Sequence, residues 1–340
     1  MTISLPDFLS DSLQQILLKG LPDQSKLHTL LLAVAEAVKD ISKIVAKGSI
    51  ADLAASINNQ NMQGEMHMKL DVISNQVFID CLVQTDLVQG VVSEELASPH
   101  VFSAGTTAKP FLVILNPLDG ATNIAINGIF GSIFSVLKAP LDRMTEATDF
   151  LQPGKQQIAA GYALYGPATM LIFTLGNGTH GFTLDSDSNL FILTHPNLII
   201  AKDAAEFAIN TSNTRFWEPP ITRYINECND GKHGARKKDF NMRWTGSMVA
   251  DLHRVLMRSG IYLYPGDTKI SNITGRLKLL YEANPMGMLV EQAGGIASTG
   301  RLRLLHIEPK DIHQRISVVM GSKKEVLRVE RYHHVFDSAR

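Results

Sequence analysis

The chain has 340 residues, 45% of them apolar and 19% charged, which is enough apolar mass for a large buried core and argues against a disordered chain. Its 32 basic and 33 acidic residues leave a net charge of -1, so composition carries no sign of nucleic-acid binding or of attraction to an anionic membrane. Cys81 and Cys228 are its two cysteines and lie far apart, so neither a disulfide framework nor a structural zinc is expected.

From Met1 to Gly20 no basic stretch precedes an apolar core, so no signal peptide is expected. No run approaches the ~20 apolar residues that span a bilayer, and a cytoplasmic location with reduced thiols follows as the expectation. Leu27, Leu30, Leu31, Val34, Val38, Ile41 and Val45 fall at helical spacing and predict one long amphipathic helix, bounded by Gly48. A second helix is expected over Lys69 to Val83. The apolar run Leu87–Val92 reads as strand-like and ends in Ser93-Glu94-Glu95. FLVIL, Phe111 to Leu115, reads as a buried strand that opens into a loop at Asn116-Pro117.

From Ile129 to Thr194, short apolar runs separated by Gly, Asn, Asp and Pro predict an antiparallel meander. Beyond Ile200 helices and strands alternate. Ser247 to Arg258 reads as a helix burying Met248, Leu252, Val255 and Leu256, and Ile261 to Tyr264 as a strand. Glu282 to Ala293 reads as a helix with Pro285 in its first turn, ended by Gly294-Gly295. The class is α/β with mixed and antiparallel sheets. A soft boundary near 198–202 separates an N-terminal domain, 1–200, from a C-terminal one, 201–340, and no linker marks it, so the halves should share a wide interface.

The chemistry concentrates at Asn116-Pro117-Leu118-Asp119-Gly120-Ala121-Thr122-Asn123. Here a strand end presents the Asp119 carboxylate and the Leu118 carbonyl together, and Gly120 lets the chain turn so that successive N–H groups face an anion. Such oxygens suit a hard cation like Mg²⁺, which can bridge to phosphate. Glu94 and Glu95, Asp71 and Glu282 are further acidic candidates. Each also has a plain reading: a solvated pair, a cap, a first-turn helix charge, or, for Asp119, a turn with a capping side chain.

In order along the chain, Gln63-Gly64-Glu65, KLDVISN (69–75), VSEE (92–95), NPLDG (116–120), LQPGKQQIAAGYALYGPATM (151–170), TGSMVADLHR (245–254), GIYLYP (260–265), LLYEANPMG (279–287), EQAGG (291–295) and DIHQR (311–315) resemble class I fructose-1,6-bisphosphatase. The resemblance implies a layered αβαβα sugar phosphatase fold and a homotetramer built as a dimer of dimers. It implies removal of the 1-phosphate of fructose 1,6-bisphosphate with two or three Mg²⁺, or Mn²⁺, per subunit. The implied metal ligands are Glu94, position 116 (here Asn116), the Leu118 carbonyl, Asp119 and Glu282, with Asp71 near a third ion. Glu95 would help activate the attacking water. The turn at Asp119-Gly120, with the N–H groups of Ala121 and Thr122, would hold the 1-phosphate. Asn210, Tyr264 and Arg276 would hold the sugar and 6-phosphate, Met248 would line the sugar pocket, and Arg243 would reach the neighbouring subunit's site.

The sequence departs from that family at telling places. Position 116 is Asn rather than Asp, 76 is Gln rather than an acid, and Ala125 replaces another Asp. Ala121 and Thr122 replace serines, and Trp244 replaces a Tyr. A weakened metal site and the loss of a general base are therefore expected. A catalytically impaired sugar-phosphate-binding protein with a regulatory or assembly role is the alternative. The family's AMP-binding turn reads Leu21 to His28 here, its Lys-Tyr pair reads Pro110-Phe111, and Lys138 stands near its Arg, so AMP binding is not expected. His253 and His313 read as packed histidines, and KHGARKK (232–238) as a solvated basic loop.

Overall fold

The computed structural model describes residues 2–15, 24–48, 56–60, 66–102, 109–269 and 275–339. The block Gln63-Gly64-Glu65 and the first part of the turn at Leu21 lie outside the described residues. Two helices come first, α1 (Leu5–Gln15) and α2 (Gln24–Val45). The antiparallel pair β1 (Ser56–Gln60) and β2 (Met66–Met68) leads into α3 (Lys69–Gln84).

The first large sheet holds eight strands: β3 (Val88–Ser93), β4 (His100–Val101), β5 (Phe111–Asp119), β6 (Phe130–Lys138), β7 (Ala159–Tyr165), β8 (Thr169–Thr174), β9 (Thr179–Asp185) and β10 (Leu190–His195). Their order is β10-β9-β8-β7-β6-β5-β3-β4. β6 to β10 form the expected meander, and β3 runs parallel to β5. The second half adds β11 (Glu206–Ala208), α4 (Pro219–Asn229), β12 (Asn241–Met242), α5 (Met248–Arg258) and β13 (Ile261–Tyr264). Then come β14 (Leu277–Lys278), a π turn over Leu279–Ala283, α6 (Asn284–Gln292), β15 (Ile296–Ser298), β16 (Arg315–Ile316), β17 (Val318–Gly321) and α7 (Lys323–Ser338). The second sheet has the mixed order β12-β11-β13-β17-β15.

Strand parity sorts these elements into layers, because alternate side chains point to opposite faces of a sheet. In β7, Ala159, Ala163 and Tyr165 join the core that holds Leu27, Leu30, Val34 and Phe78 of α2 and α3. Their neighbours Ala160, Tyr162 and Leu164 join the core of Leu252, Val255, Met286 and Leu289 from α5 and α6. The second sheet divides in the same way. Ala208, Tyr262 and Met320 face α5 and α6, whereas Phe207, Ile261, Leu263 and Val319 face α4 and α7. The result is helices, sheet, helices, sheet, helices, the αβαβα stack expected from the sequence. The middle core draws side chains from both sides of residue 200.

Two boundaries differ from expectation, and both differences lie at the site. β5 continues through Asn116-Pro117 to Asp119, with a register shift against β6 between Asn116 and Asp119. A bulge tolerates Pro117, whose missing N–H breaks no regular ladder bond there, and its carbonyl accepts from Ser132 Oγ at 2.7 Å. The helix expected from Glu282 begins earlier, as the π turn that runs into α6. Glu282 therefore sits inside a widened turn, and its carboxylate reaches back to the Lys278 N–H at 2.6 Å. Among the described residues no helix is long and apolar enough to cross a membrane.

Candidate active site

The parallel pairing of β3 with β5 puts two strand ends side by side, with Ser93 opposite Leu115. Crevices outside the carboxyl ends of parallel strands are where α/β sheets place ligand chemistry. Glu94 leaves β3 there, its N–H donating to the Leu115 carbonyl at 3.0 Å. Glu95 follows, with its N–H on Ser93 Oγ at 3.3 Å. Asn116, Leu118 and Asp119 leave β5 beside them, all buried.

Asp119 is held from across the molecule. Its Oδ2 accepts from Ser247 Oγ at 2.5 Å and from the Val249 N–H at 2.9 Å, so it also caps α5. Gly120 makes this docking possible. It sits at φ 82°, and a Cβ there would meet Ser247 Cβ at 2.5 Å. Ala121 and Thr122 then open a short 3-10 turn, pinned by Asn123, whose Nδ2 donates to the Ile129 carbonyl at 2.8 Å.

Burial is the main force that pushes the Asp119 carboxyl up to about 6, against the pull of its bonds to Ser247 and Val249, and Glu94 adds to the rise. Burial likewise drives Glu282 well above the ordinary carboxylate range, with Glu94 and Asp119 adding to it and Lys278 opposing. Glu94 thus acts on Asp119, and both act on Glu282, as like charges. The structure sets the three near the ends of β3 and β5 with Asn116 and Leu118, yet not close enough to share one ion. Asp71 is buried in the first turn of α3, which packs on β3 and β5.

The residues expected at the sugar end lie apart from the acidic ones. Asn210 and Tyr264 line a small pocket of about 10 Å³ together with Asn213, Trp217 and Asp267. Arg276 joins it through Asp267, with Nη2 3.3 Å from Oδ2, and Arg276 Nε is buried with no hydrogen-bond partner. A guanidinium with an unused buried donor beside a cavity is suited to an anion. Trp244 stacks on Tyr262 and tilts against Tyr264, its ring centroid 6.0 and 5.9 Å from theirs, so the residue in place of a tyrosine packs the cavity wall instead of offering a hydroxyl. Met248 is buried at the start of α5. Arg243 is exposed, its Nη1 donating to the Met242 carbonyl at 3.1 Å.

The departures from the family pattern have visible consequences. The Asn116 side-chain oxygen accepts the Leu118 N–H at 3.2 Å, so the amide closes its own turn. Gln76 is exposed on α3 and donates to Asp80 Oδ1 at 2.7 Å, one helical turn along. Ala125 is exposed in the turn after Gly120.

Whether the site suits a divalent metal turns on its donors. In kind they fit: buried carboxylates that repel one another, with backbone carbonyl oxygen at hand, are what a hard cation neutralises. In arrangement they do not yet converge. Among the described residues no three Asp, Glu, His or Cys side chains stand close enough together to hold an ion. The Lys278 ammonium instead lies 2.8 Å from Glu94 Oε1, the lysine buried and the glutamate half-buried.

Sequence reasoning missed Ser247, Asp267 and Lys278. Only Lys278 left a local signal, its spacing of four residues before Glu282. His253 is packed as expected, its Nδ1 2.8 Å from Tyr162 Oη. The KHGARKK loop is not fully solvated, because Arg236 is buried and takes both Glu325 oxygens, at 2.6 and 2.7 Å.

Comparison with known proteins agrees with this architecture. The model of the fructose-1-6-bisphosphatase N-terminal domain matches residues 13–196, and that of its C-terminal domain matches 200–334. Class 1 fructose-1,6-bisphosphatase of Methylacidiphilum infernorum is 50% identical over 323 residues, 95% of this chain and 90% of that protein. Class 1 fructose-1,6-bisphosphatase of Hydrogenophilus thermoluteolus is 50% identical over 315 residues, 92% of this chain and 88% of that protein. Among solved structures, Leishmania major fructose-1,6-bisphosphatase in its holo form matches with a TM-score of 0.90 at 34% identity, covering 98% of this chain and 99% of that one. The same enzyme in its T-state matches with a TM-score of 0.84 at 33% identity, covering 98% and 99%.

The αβαβα stack, taken with these matches, defines a sugar phosphatase, a phosphoric monoester hydrolase. The chain belongs to the class 1 fructose-1,6-bisphosphatase family.

Proposed function

We propose that this protein hydrolyses the 1-phosphate of fructose 1,6-bisphosphate to give fructose 6-phosphate, with lower turnover than a site carrying the family's full set of acids. The observation that carries this is the placing of half-buried Glu94 and buried Asp119 and Glu282 near the Gly120 turn, which supplies anionic oxygens next to a turn suited to phosphate. Two or three Mg²⁺ or Mn²⁺ ions per subunit, when bound, would neutralise the phosphoryl oxygens and acidify the attacking water. Glu94, Asp119, Glu282 and the Leu118 carbonyl would hold them, with Asn116 a poor substitute for a bridging carboxylate and Asp71 beside a third.

The chain's own residues do the rest. The Ala121 and Thr122 N–H groups face the 1-phosphate across the Gly120 turn. Asn210, Tyr264 and Arg276 would hold the 6-phosphate end, and Met248 would lie under the sugar. Glu95 orients the attacking water. Gln76 cannot take its proton, and loss of a general base lowers rates by ~10²–10⁴. Arg243 completes the site of a neighbouring subunit in a homotetramer. Two domains meeting near residue 200 fit the family matches, which abut between 196 and 200. A cytoplasmic location and absence of AMP control complete this reading. Phe111, where the family's nucleotide site has a polar residue, is wholly buried in β5.

A second reading is favoured by one observation: Asn116 and Gln76 are both engaged in bonds of their own. On that reading the protein binds sugar phosphates without turning them over. Phosphate release from fructose 1,6-bisphosphate with Mg²⁺ or Mn²⁺, measured beside Glu94→Gln, separates the two. Release above that control supports the phosphatase. No release, with fructose 6-phosphate still raising the melting temperature, supports the binding protein. In the first case the double variant Asn116→Asp, Gln76→Asp is expected to gain at least ~10-fold in rate.

A further inference from the structure

We infer that Lys278 is a built-in counter-ion of the acidic cluster, and that it competes with the divalent metal for Glu94 and so sets this protein's metal affinity. The inference rests on the proposed metal site. Lys278 stands at the end of β14, where the chain enters the π turn. Its backbone N–H is already committed to Glu282 Oε2 at 2.6 Å, which fixes the position of its stem. From there the side chain runs to Glu94 Oε1 at 2.8 Å, with only 3% of the lysine side chain exposed. One residue therefore touches two of the three clustered carboxylates, once with its backbone and once with its charge.

A buried ammonium is tolerated only where an anion repays its lost hydration, and an acidic cluster needs a cation for the same reason. Lys278 meets the need of Glu94 with its ammonium and reaches Glu282 with its backbone N–H. A divalent ion that takes Glu94 as a ligand must therefore break this pair. The displaced ammonium then lies beside a second cation, and that repulsion weakens metal binding. The lack of a gathered three-ligand group among the described residues is explained in the same way, since Glu94 is drawn to Lys278 rather than toward a shared centre.

The test is direct Mn²⁺ binding, followed by electron paramagnetic resonance of the free ion, with thermal unfolding as a second readout. In Lys278→Met, which keeps the stem and removes the charge, Mn²⁺ should bind ~10-fold or more tighter than in the unaltered protein. Its melting temperature should fall in chelator and recover with Mn²⁺. Lys278→Arg, which keeps the charge, should bind Mn²⁺ like the unaltered protein. Equal or weaker Mn²⁺ binding by Lys278→Met overturns the inference and leaves the metal site standing. Should Lys278→Met fold only with metal, refolding it in Mn²⁺ and then chelating must unfold it; a variant that Mn²⁺ cannot fold overturns the inference too. If neither the unaltered protein nor Lys278→Met binds Mn²⁺, the metal reading itself fails and this inference falls with it.

Discussion

Gly120 shows how much a single position carries. Two independent constraints meet there: a backbone at φ 82°, and the Ser247 side chain lying where a Cβ would go. Gly120→Ala must strain the turn or push α5 off Asp119, at a cost of ~1–3 kcal/mol. Thermal unfolding should register that loss, and phosphate release should fall with it if this turn is the proposed 1-phosphate seat. A second residue, His253, sits against the Tyr162 hydroxyl. Burial lowers its pKa from 6.5 to about 4. The unfolded chain thus takes up a proton below about 6.5, which the folded chain refuses until about 4. The His253 contribution to stability is intact above that window and is lost as pH falls through it. In His253→Gln the drop in melting temperature between neutral pH and pH ~5 should be smaller than in the unaltered protein; an unchanged drop would show that the histidine does not titrate as argued.

Among the elements, the segment joining α4 to β12 is fastened from inside. Arg236 binds both Glu325 oxygens from α7, Tyr224 of α4 donates to the same carboxylate at 2.7 Å, and Lys238 lies 3.5 Å from it. The guanidinium also lies over the Phe240 ring, 4.4 Å from its centroid. α4, α7 and the approach to Arg243 are thereby tied to one buried charge pair. Arg236→Met strands Glu325 in the interior and should cost ~3–5 kcal/mol in denaturant unfolding. Replacing both partners, Arg236→Met with Glu325→Leu, should cost less than the single change, because no lone charge is left behind. A double variant worse than the single one would mean that the remaining contacts, not the desolvated charge, dominate.

For the whole molecule, the layered stack places the acidic cluster between β3, β5 and the π turn, and leaves Arg243 exposed beside β12. If Arg243 serves a neighbour's site, a chain lacking it and a chain lacking Glu94 are defective in different halves of a shared site. Mixing Arg243→Ala with Glu94→Gln, after dissociation and reassembly, should restore phosphate release that neither variant shows alone. Sedimentation of the unaltered protein should show a tetramer. Recovery absent despite mixed assembly would place Arg243 in its own subunit's business or in none.

The periodicity of α2 and α5, the meander from β6 to β10 and the turn after β5 were legible in the sequence, because each depends on residues a few positions apart. So was membership of the family, because its blocks stand in order along the chain. The partners of the site residues were not legible. Ser247 meets Asp119 from 128 residues away, and Lys278 meets Glu94 from 184. Arg236 looked like one charge in a basic run until α7 supplied Glu325. Local pattern determines which elements form and which face of each is apolar. Which charge ends up beside which depends on strand order, on register and on the turn that closes each layer, and those exist only once the layers have packed.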